Sequence, residues 1–202
     1  MAEKSTTVEK QGVGKNDKNA SNGLSNPTKF GMAGIAVALF MLAFAFCEII
    51  TFNSAVFATV LTMGFIAPVI AGILEYVKGN SYRATSFVLF SLFFLTFFFF
   101  ITGTIRGEYP SGNTIGIFFM AWTVVIFTIL AGTVMKKMGM KMIMLLTILA
   151  LFSLFTLFAG IAFFTDERVI SIVAGALAFA TVLAILVDFI KHICIRMKES
   201  KI

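Results

Sequence analysis

The sequence predicts an all-α, polytopic membrane protein in which six transmembrane helices form a bundle. Of the 202 residues, 59% are hydrophobic and only 13% are charged, too little charge to cover a water-soluble domain of this size. The apolar residues form continuous stretches, without the alternation of a membrane barrel, so the predicted spans are helices. Basic residues are confined almost entirely to alternate connections, which predicts the orientation.

Six stretches lack charged residues, and each is about as long as the ~20 residues that a helix needs to cross a bilayer. They are residues 30–47, 49–74, 84–105, 109–135, 142–165 and 169–187. Only Glu48 separates the first two stretches. As one helix, residues 30–74 would be about 67 Å long, roughly twice the bilayer core. A turn is therefore predicted at the polar residues Thr51, Asn53 and Ser54.

Basic residues predict which side each connection occupies. Of the 16 Lys and Arg residues, 14 fall on the side of the two termini and of the second and fourth connections. The positive-inside rule places that side in the cytoplasm, so we expect a multi-pass protein of the plasma membrane with both termini cytoplasmic. Residues 1–25 are polar and predicted to be a disordered tail, residues 26–195 the transmembrane domain and residues 196–202 a C-terminal tail. The net charge of +6 reflects this asymmetry, and no nucleic-acid partner is expected.

The sequence contains no pattern typical of an enzyme or a metal site. His192 is the only histidine, and neither a nucleophile–base pair nor a glycine-rich phosphate loop is present. We therefore expect no catalytic residue, metal or cofactor, and transport becomes the default function. The two cysteines, Cys47 and Cys194, are predicted near opposite membrane faces, roughly 30 Å apart. That separation is too large for a disulfide.

Two acidic residues at the ends of predicted spans are candidates for a role in transport, because charge in a membrane is costly. Glu48 lies near the outer end of the first span. It is either an interfacial residue at a helix end, or a vestibule carboxylate or proton site. Glu75 lies at the inner end of the second span, and we expect a structural salt bridge with Lys78 or Arg83.

A third acidic residue and two stripes of small residues predict contacts between elements. Asp188 is one helical turn from Lys191 and His192, and we expect a surface ion pair there. Small residues and Pro68 recur at intervals of four in the second span, which predicts a kink at Pro68 and close approach of another helix. The two stripes are Gly64, Pro68 and Gly72, and Ser171, Ala174, Gly175 and Ala178.

Three segments resemble motifs of the acetate uptake transporter family, also described as succinate–acetate permeases. Residues 26–32 read Asn-Pro-Thr-Lys-Phe-Gly-Met, where that family has Asn-Pro-Ala-Pro-Leu-Gly-Leu. Residues 71–82 read Ala-Gly-Ile-Leu-Glu-Tyr-Val-Lys-Gly-Asn-Ser-Tyr and are similar to the family pattern Ala-Gly-x-x-Glu-Tyr/Phe-x-x-Gly-Asn-Thr-Phe. Trp122 followed by Gly132 and Thr133 matches a third feature. The chain departs from the family at Lys29, which replaces a proline, and at Pro68, which replaces a glutamine.

The resemblance implies a transporter or channel for acetate or similar short-chain carboxylates, either a proton symporter or a passive anion channel. It also implies a pore within each six-helix subunit and assembly of the subunits into a homo-hexamer in the lipid bilayer. By position, the substrate pathway would include Asn26, Pro27, Phe30 and Gly31 at its inner part and Ile35, Phe90 and Leu146 at an apolar constriction. Lys29 would attract anions to the inner mouth or act as an ordinary positive-inside anchor. Transport of another small solute such as ammonium, and a non-transporting membrane scaffold, remain alternatives.

Overall fold

Six membrane-length helices make up the part of the chain that the structure describes. The structure, a computed structural model, describes residues 26–105, 111–135 and 140–199. The helices are α1 (Pro27–Phe46), α2 (Ser54–Val77), α3 (Ser81–Ile105), α4 (Gly112–Met135), α5 (Met140–Thr165) and α6 (Arg168–Glu199). All six are long and apolar enough to cross a membrane, which confirms the predicted fold class. The predicted tail of residues 1–25 lies outside the described residues, and α6 continues past residue 195 to Glu199.

The helices form a closed ring. Each helix packs against the helices that precede and follow it in the chain, and α6 returns to pack against α1. α3 and α4 approach each other at few backbone positions and are joined by side chains. The Phe93 and Phe118 rings stack with centroids 5.6 Å apart, and the Tyr82 hydroxyl donates to the Ile129 carbonyl at 2.5 Å. The Tyr82 hydroxyl also lies 2.5 Å from the Thr133 hydroxyl. Thr133, which belongs to the third family feature, therefore helps to join α3 and α4.

The connection between α1 and α2 lies where the turn was predicted, and it contains Asn53, one of the three polar residues that predicted it. Glu48 has a φ of 57°, in the left-handed region, and so ends α1. The Asn53 side chain then caps α2, since its Oδ1 accepts hydrogen bonds from the backbone N–H groups of Ala55 at 3.0 Å and Val56 at 3.2 Å. The chain therefore reverses within a few residues, as predicted.

An irregular stretch lies in α2 just before Pro68. Residues Val60–Ile66 form a π-helix, and the Ala67 N–H donates to the Thr62 carbonyl, five residues back. Pro68 has no N–H to continue this pattern, and its ring would clash with an ordinary α-helical turn. The disruption predicted at Pro68 therefore takes the form of a widened helix that precedes the proline.

The small-residue stripes let neighbouring helices of one subunit approach closely. A Cβ added at Gly64 of α2 would lie 2.7 Å from the Phe94 ring of α3. A Cβ added at Gly175 of α6 would lie 2.5 Å from Sγ of Cys47, at the end of α1. Both stripes therefore serve packing within the ring.

The most specific family motif forms the tight turn between α2 and α3. Gly79 has a φ of 77°, and its N–H donates to the Tyr76 carbonyl at 2.9 Å. The Asn80 N–H donates to the Glu75 carbonyl at 3.0 Å, which completes a glycine-based helix stop. The Asn80 carbonyl then accepts from the Ala84 N–H at 3.0 Å, in the first turn of α3. The turn fixes the position of the Glu75 side chain.

Candidate functional site

Phenylalanine rings from four helices fill the centre of the ring of helices. This aromatic cluster comprises Phe46 of α1, Phe93 and Phe97 of α3, Phe119 of α4, and Phe152 and Phe155 of α5, and none is more than 3% exposed. Its rings meet mainly edge to face, with centroids 5.6 Å apart for Phe93 and Phe152 and 5.5 Å apart for Phe46 and Phe155. Such contacts add to the stability from burial. The cluster closes the axis of the bundle in this conformation.

Polar groups beside the aromatic cluster are hydroxyls that are already hydrogen-bonded. The Thr123 hydroxyl of α4 donates to the Thr156 hydroxyl of α5 at 3.0 Å, and Thr156 donates to the Ser153 carbonyl at 3.0 Å. Ser91 donates to the Phe87 carbonyl at 2.7 Å. Of the buried polar side chains in the described part of the chain, only Glu75 is ionisable. The centre therefore offers weak polar groups and no fixed charge.

Two of the predicted constriction residues lie at one depth. Ile35 is on the buried face of α1. One turn earlier, Gly31 lies directly against α3, since an added Cβ would be 2.6 Å from the Phe87 ring. α1 and α3 run in the same direction, so Phe90, one turn after Phe87, lies level with Ile35.

The α5 residue at that depth is Phe152. Its ring contacts the Phe90 ring, with centroids 5.1 Å apart. Leu146 precedes Phe152 by six residues, which places it about 9 Å nearer the end of the bundle that carries the N-terminus of α1. The structure therefore brings together Ile35, Phe90 and Phe152 and leaves Leu146 on a different level.

Residues of the 26–32 motif form the start of α1. The end of the bundle at which α1 starts is here called the inner end. The Asn26 carbonyl accepts the first helical hydrogen bond, from Phe30 N–H at 3.3 Å, and Pro27 occupies the first turn, where its missing N–H has no cost. Pro27 and Gly31 are buried on one face of α1, whereas Phe30 is 48% exposed. Phe30 thus does not share the face that Pro27, Gly31 and Ile35 turn toward the neighbouring helices.

Glu75 is the centre of a hydrogen-bonded cluster at the inner end. Its Oε1 accepts from the Thr28 hydroxyl of α1 at 2.5 Å, and its Oε2 accepts from the Asn80 amide at 3.0 Å. The predicted salt bridge with Lys78 or Arg83 was wrong: Lys78 is an exposed residue at the end of α2, and Arg83 contacts the Thr28 hydroxyl at 3.5 Å. The tight turn explains the difference because it brings Asn80 onto the carboxylate.

Lys29 and Asp188 form an ion pair between α1 and α6. Their side chains are only 16% and 22% exposed. The predicted pairing of Asp188 with Lys191 or His192 was therefore wrong, and Lys191 instead lies 3.8 Å from the Met144 sulfur. Asp188 faces α1, where Lys29 is the nearest partner, and its charge cancels the attraction of Lys29 for distant anions.

Glu48 pairs with Arg168 at the opposite, outer end. The distance from Arg168 Nε to Glu48 Oε2 is 2.9 Å, and the side chains are 74% and 46% exposed, respectively. Exposed ion pairs contribute little to stability, because water screens the two charges and the side chains separate readily. This contact supports the interfacial alternative for Glu48 over a buried proton site.

Comparison with known proteins identifies the family. Residues 11–197 match the profile of the GPR1/FUN34/yaaH family. The chain belongs to that family. It is 27% identical over 112 residues to the succinate-acetate/proton symporter SatP of Escherichia coli strain K12, and equally to SatP of E. coli O157:H7 and of Shigella flexneri. These alignments cover 54% of this chain and 60% of each relative, so they span less than two thirds of the relatives' length.

The GPR1/FUN34/yaaH fold is also shared with a solved structure. The bacterial acetate channel SatP superposes with a TM-score of 0.74 at 22% identity, covering 82% of this chain and 91% of that chain. The predicted resemblance to acetate uptake transporters is thereby confirmed.

Within this family fold, two features of the site escaped sequence-based prediction. Phe152 lies in a stretch so rich in phenylalanine that no single ring stood out, although its spacing to Phe155 is that of one helix face. The Lys29–Asp188 pair joins residues 159 positions apart, and nothing local in the sequence indicates it.

Proposed function

We propose that this protein is a membrane transporter or channel for acetate and similar short-chain carboxylates. Its curated relatives are named succinate-acetate/proton symporters, and the solved structure with the same fold is named an acetate channel. The observation that carries the proposal further is the aromatic and uncharged centre of the ring of helices. Such a centre suits a small solute with an apolar methyl group and one polar end.

Energetics favour passage of the neutral acid through this centre. A simple carboxyl group titrates near pH 4–5, so protonating it at pH 7 costs about 3–4 kcal/mol, at about 1.36 kcal/mol per pH unit. Burying the ionised carboxylate without a partner costs more, since the penalty is at least several kcal/mol per ion even after relaxation and water entry. The hydroxyls of Thr123, Thr156 and Ser91 already donate to protein oxygens, so they do not offset that penalty.

Proton coupling follows from this route. Each neutral acid that crosses carries one proton with it, so net transport depends on the pH difference across the membrane. No ionisable side chain at the centre is needed for such coupling. We therefore favour proton-coupled movement of the acid over passive movement of the anion.

The proposed path runs along the axis of one subunit, from Asn26, Pro27 and Gly31 at the inner end to a constriction at Ile35, Phe90 and Phe152. Phe152 takes the place that the family resemblance assigned to Leu146, because its ring contacts Phe90. The rings of the constriction must separate for a solute to pass.

Orientation and assembly complete the proposal. The side with 14 of the 16 basic residues is proposed to be cytoplasmic, in the plasma membrane. Assembly into a hexamer is proposed on the family resemblance, and native mass spectrometry of the detergent-solubilised protein should report six copies.

Flux measurements test the proposed function. The full chain is reconstituted into liposomes, and uptake of labelled acetate is measured with and without an imposed pH gradient, with ammonium as the comparison solute. Acetate uptake that grows with an inward proton gradient supports proton-coupled transport. Acetate uptake that does not depend on the pH gradient supports an anion channel, and absence of acetate uptake contradicts the proposal.

A further inference from the structure

The Lys29–Asp188 pair lies at the inner end of the contact between α1 and α6. Lys29 continues a buried stripe of α1, and Asp188 continues a buried stripe of α6. The stripes are Met32, Ala36, Leu39 and Ala43, and Ala174, Ala178, Thr181 and Ile185. The pair therefore closes the inner end of this helix contact, with both side chains about four-fifths buried, and is unlike the exposed pair at the outer end.

Helix stability does not explain the charge at Lys29. It lies in the first turn of α1, where the helix dipole disfavours a cation, and Pro27 already starts the helix. If the pair served only to tie α1 to α6, the opposite placement of the two charges would be the more stable one for α1. The positive-inside rule accounts for a cation at this end, but only 16% of the Lys29 side chain is exposed, and a cation so buried needs a negatively charged partner.

The partner that the structure provides has the chemistry of the proposed substrate. The Asp188 side chain is a carboxylate on a single carbon, which is an acetate group tethered to α6. Its binding to Lys29 shows that a carboxylate of this size fits beside the ammonium group in a mostly dehydrated place.

We propose that Lys29 is a carboxylate-binding residue at the inner end of the path, and that Asp188 occupies it until a substrate carboxylate displaces it. This inference rests on the proposed function for its substrate class, small monocarboxylates. Asp188 then sets the affinity of the inner site, because every substrate molecule must compete with a tethered carboxylate of high effective concentration.

A binding experiment without transport tests the site. In Asp188→Ala, the tethered carboxylate is removed and Lys29 remains. Acetate added to this detergent-solubilised full-length variant should raise its thermal unfolding midpoint, whereas acetamide and chloride should not. In the double variant Lys29→Gln/Asp188→Ala, about ten-fold more acetate should be needed for the same rise. Equal effects of acetate on the two variants, or none on either, would overturn the proposal.

Flux measurements give opposite signs for the two variants that break the pair. Asp188→Asn keeps the side-chain size, frees Lys29 and should lower the half-saturating acetate concentration at the inner face about ten-fold. Lys29→Gln should raise it. If the pair only holds α1 against α6, both variants should change the half-saturating acetate concentration in the same direction. Asp188→Asn also replaces Asp188→Ala in the binding experiment if the latter does not fold.

The two proposals fail separately. Absence of acetate flux through the wild-type protein contradicts the proposed function, whereas the acetate effect on Asp188→Ala still reports whether Lys29 binds a carboxylate. Normal wild-type flux with unchanged half-saturation in both single variants contradicts the role of Lys29 alone.

Discussion

Phe152 is the residue whose truncation should change both stability and selectivity. Its buried ring contacts those of Phe90, Phe93 and Phe155, with centroids 5.1, 5.6 and 5.7 Å away. Phe152→Ala should lower the free energy of unfolding by about 3–5 kcal/mol, because it leaves a cavity in a packed core. If the neighbours do not relax, that cavity has about the volume of the removed phenyl ring, and an apolar cavity of this kind can hold a small apolar guest.

The same cavity should admit longer acids. Butyrate has two more methylene groups than acetate, and each is worth about 0.8 kcal/mol when buried. The butyrate-to-acetate flux ratio should therefore rise about ten-fold in Phe152→Ala, since about 1.6 kcal/mol off a barrier corresponds to roughly that factor. Phe152→Leu, which removes less volume, should give a smaller rise and remains informative if the alanine variant unfolds.

Liposome uptake of labelled butyrate and acetate, measured in parallel, provides the assay. Leu154→Ala is the matched control, because Leu154 is an exposed residue of the same helix and its loss should leave the ratio unchanged. Leu146→Ala tests the alternative depth. A raised ratio in Leu146→Ala together with an unchanged ratio in Phe152→Ala would refute the assignment of the constriction to Phe152.

Three further predictions concern packing, the inner cluster and topology. Gly175→Ala should lower the free energy of unfolding, measured by denaturation, by about 1–3 kcal/mol, because the new Cβ would lie 2.5 Å from Sγ of Cys47. Gly132→Ala is the control. A Cβ added there would have its nearest neighbour 3.7 Å away, so this variant should have a smaller effect in the same assay. Glu75→Ala should cost about 2–4 kcal/mol because it leaves two donors without their acceptor, whereas Glu75→Gln should cost less than half as much; equal losses would contradict this account. A membrane-impermeant maleimide should label Cys194 from the inner side and Cys47 from the outer side of oriented vesicles, and labelling of both from one side would disprove the six-span topology.

Much of the fold could be predicted because lipid requires long apolar helices and polar connections. The length of residues 30–74 and the polar residues Thr51, Asn53 and Ser54 were sufficient to predict the first turn, and the structure uses Asn53 to cap α2. The left-handed backbone of Glu48, which ends α1, was not predicted. The inward faces of the helices could not be predicted, because core and lipid are both apolar. Within one phenylalanine run, Phe97 is 1% exposed and Phe99 is 63% exposed, although the two residues are chemically identical.

Partners of the charged residues were the least predictable part of the site. Local spacing favoured Lys191 for Asp188, but the ring of helices brings Lys29 closer. Two hydrogen-bond donors, Thr28 and Asn80, satisfy Glu75, where sequence reasoning expected a cation. The Lys29–Asp188 and Thr28–Glu75 contacts depend on how helices distant in sequence meet, which hydrophobic patterns in an entirely apolar span do not encode. The Asn80–Glu75 contact depends instead on the local geometry of the turn between α2 and α3.

The two ends of the bundle differ in how firmly their charges are held. The outer pair, Glu48 and Arg168, is largely exposed to solvent, where water screens it and the partners separate easily. The inner pair, Lys29 and Asp188, is mostly buried, so either charge left alone would carry a large desolvation penalty. If Asp188 leaves, Lys29 therefore needs a replacement ligand, and we propose that a substrate carboxylate supplies it. By this argument, an acid crosses the aromatic centre in its neutral form and loses its proton to water at the inner end. The resulting anion is the ligand that Lys29 needs when Asp188 leaves.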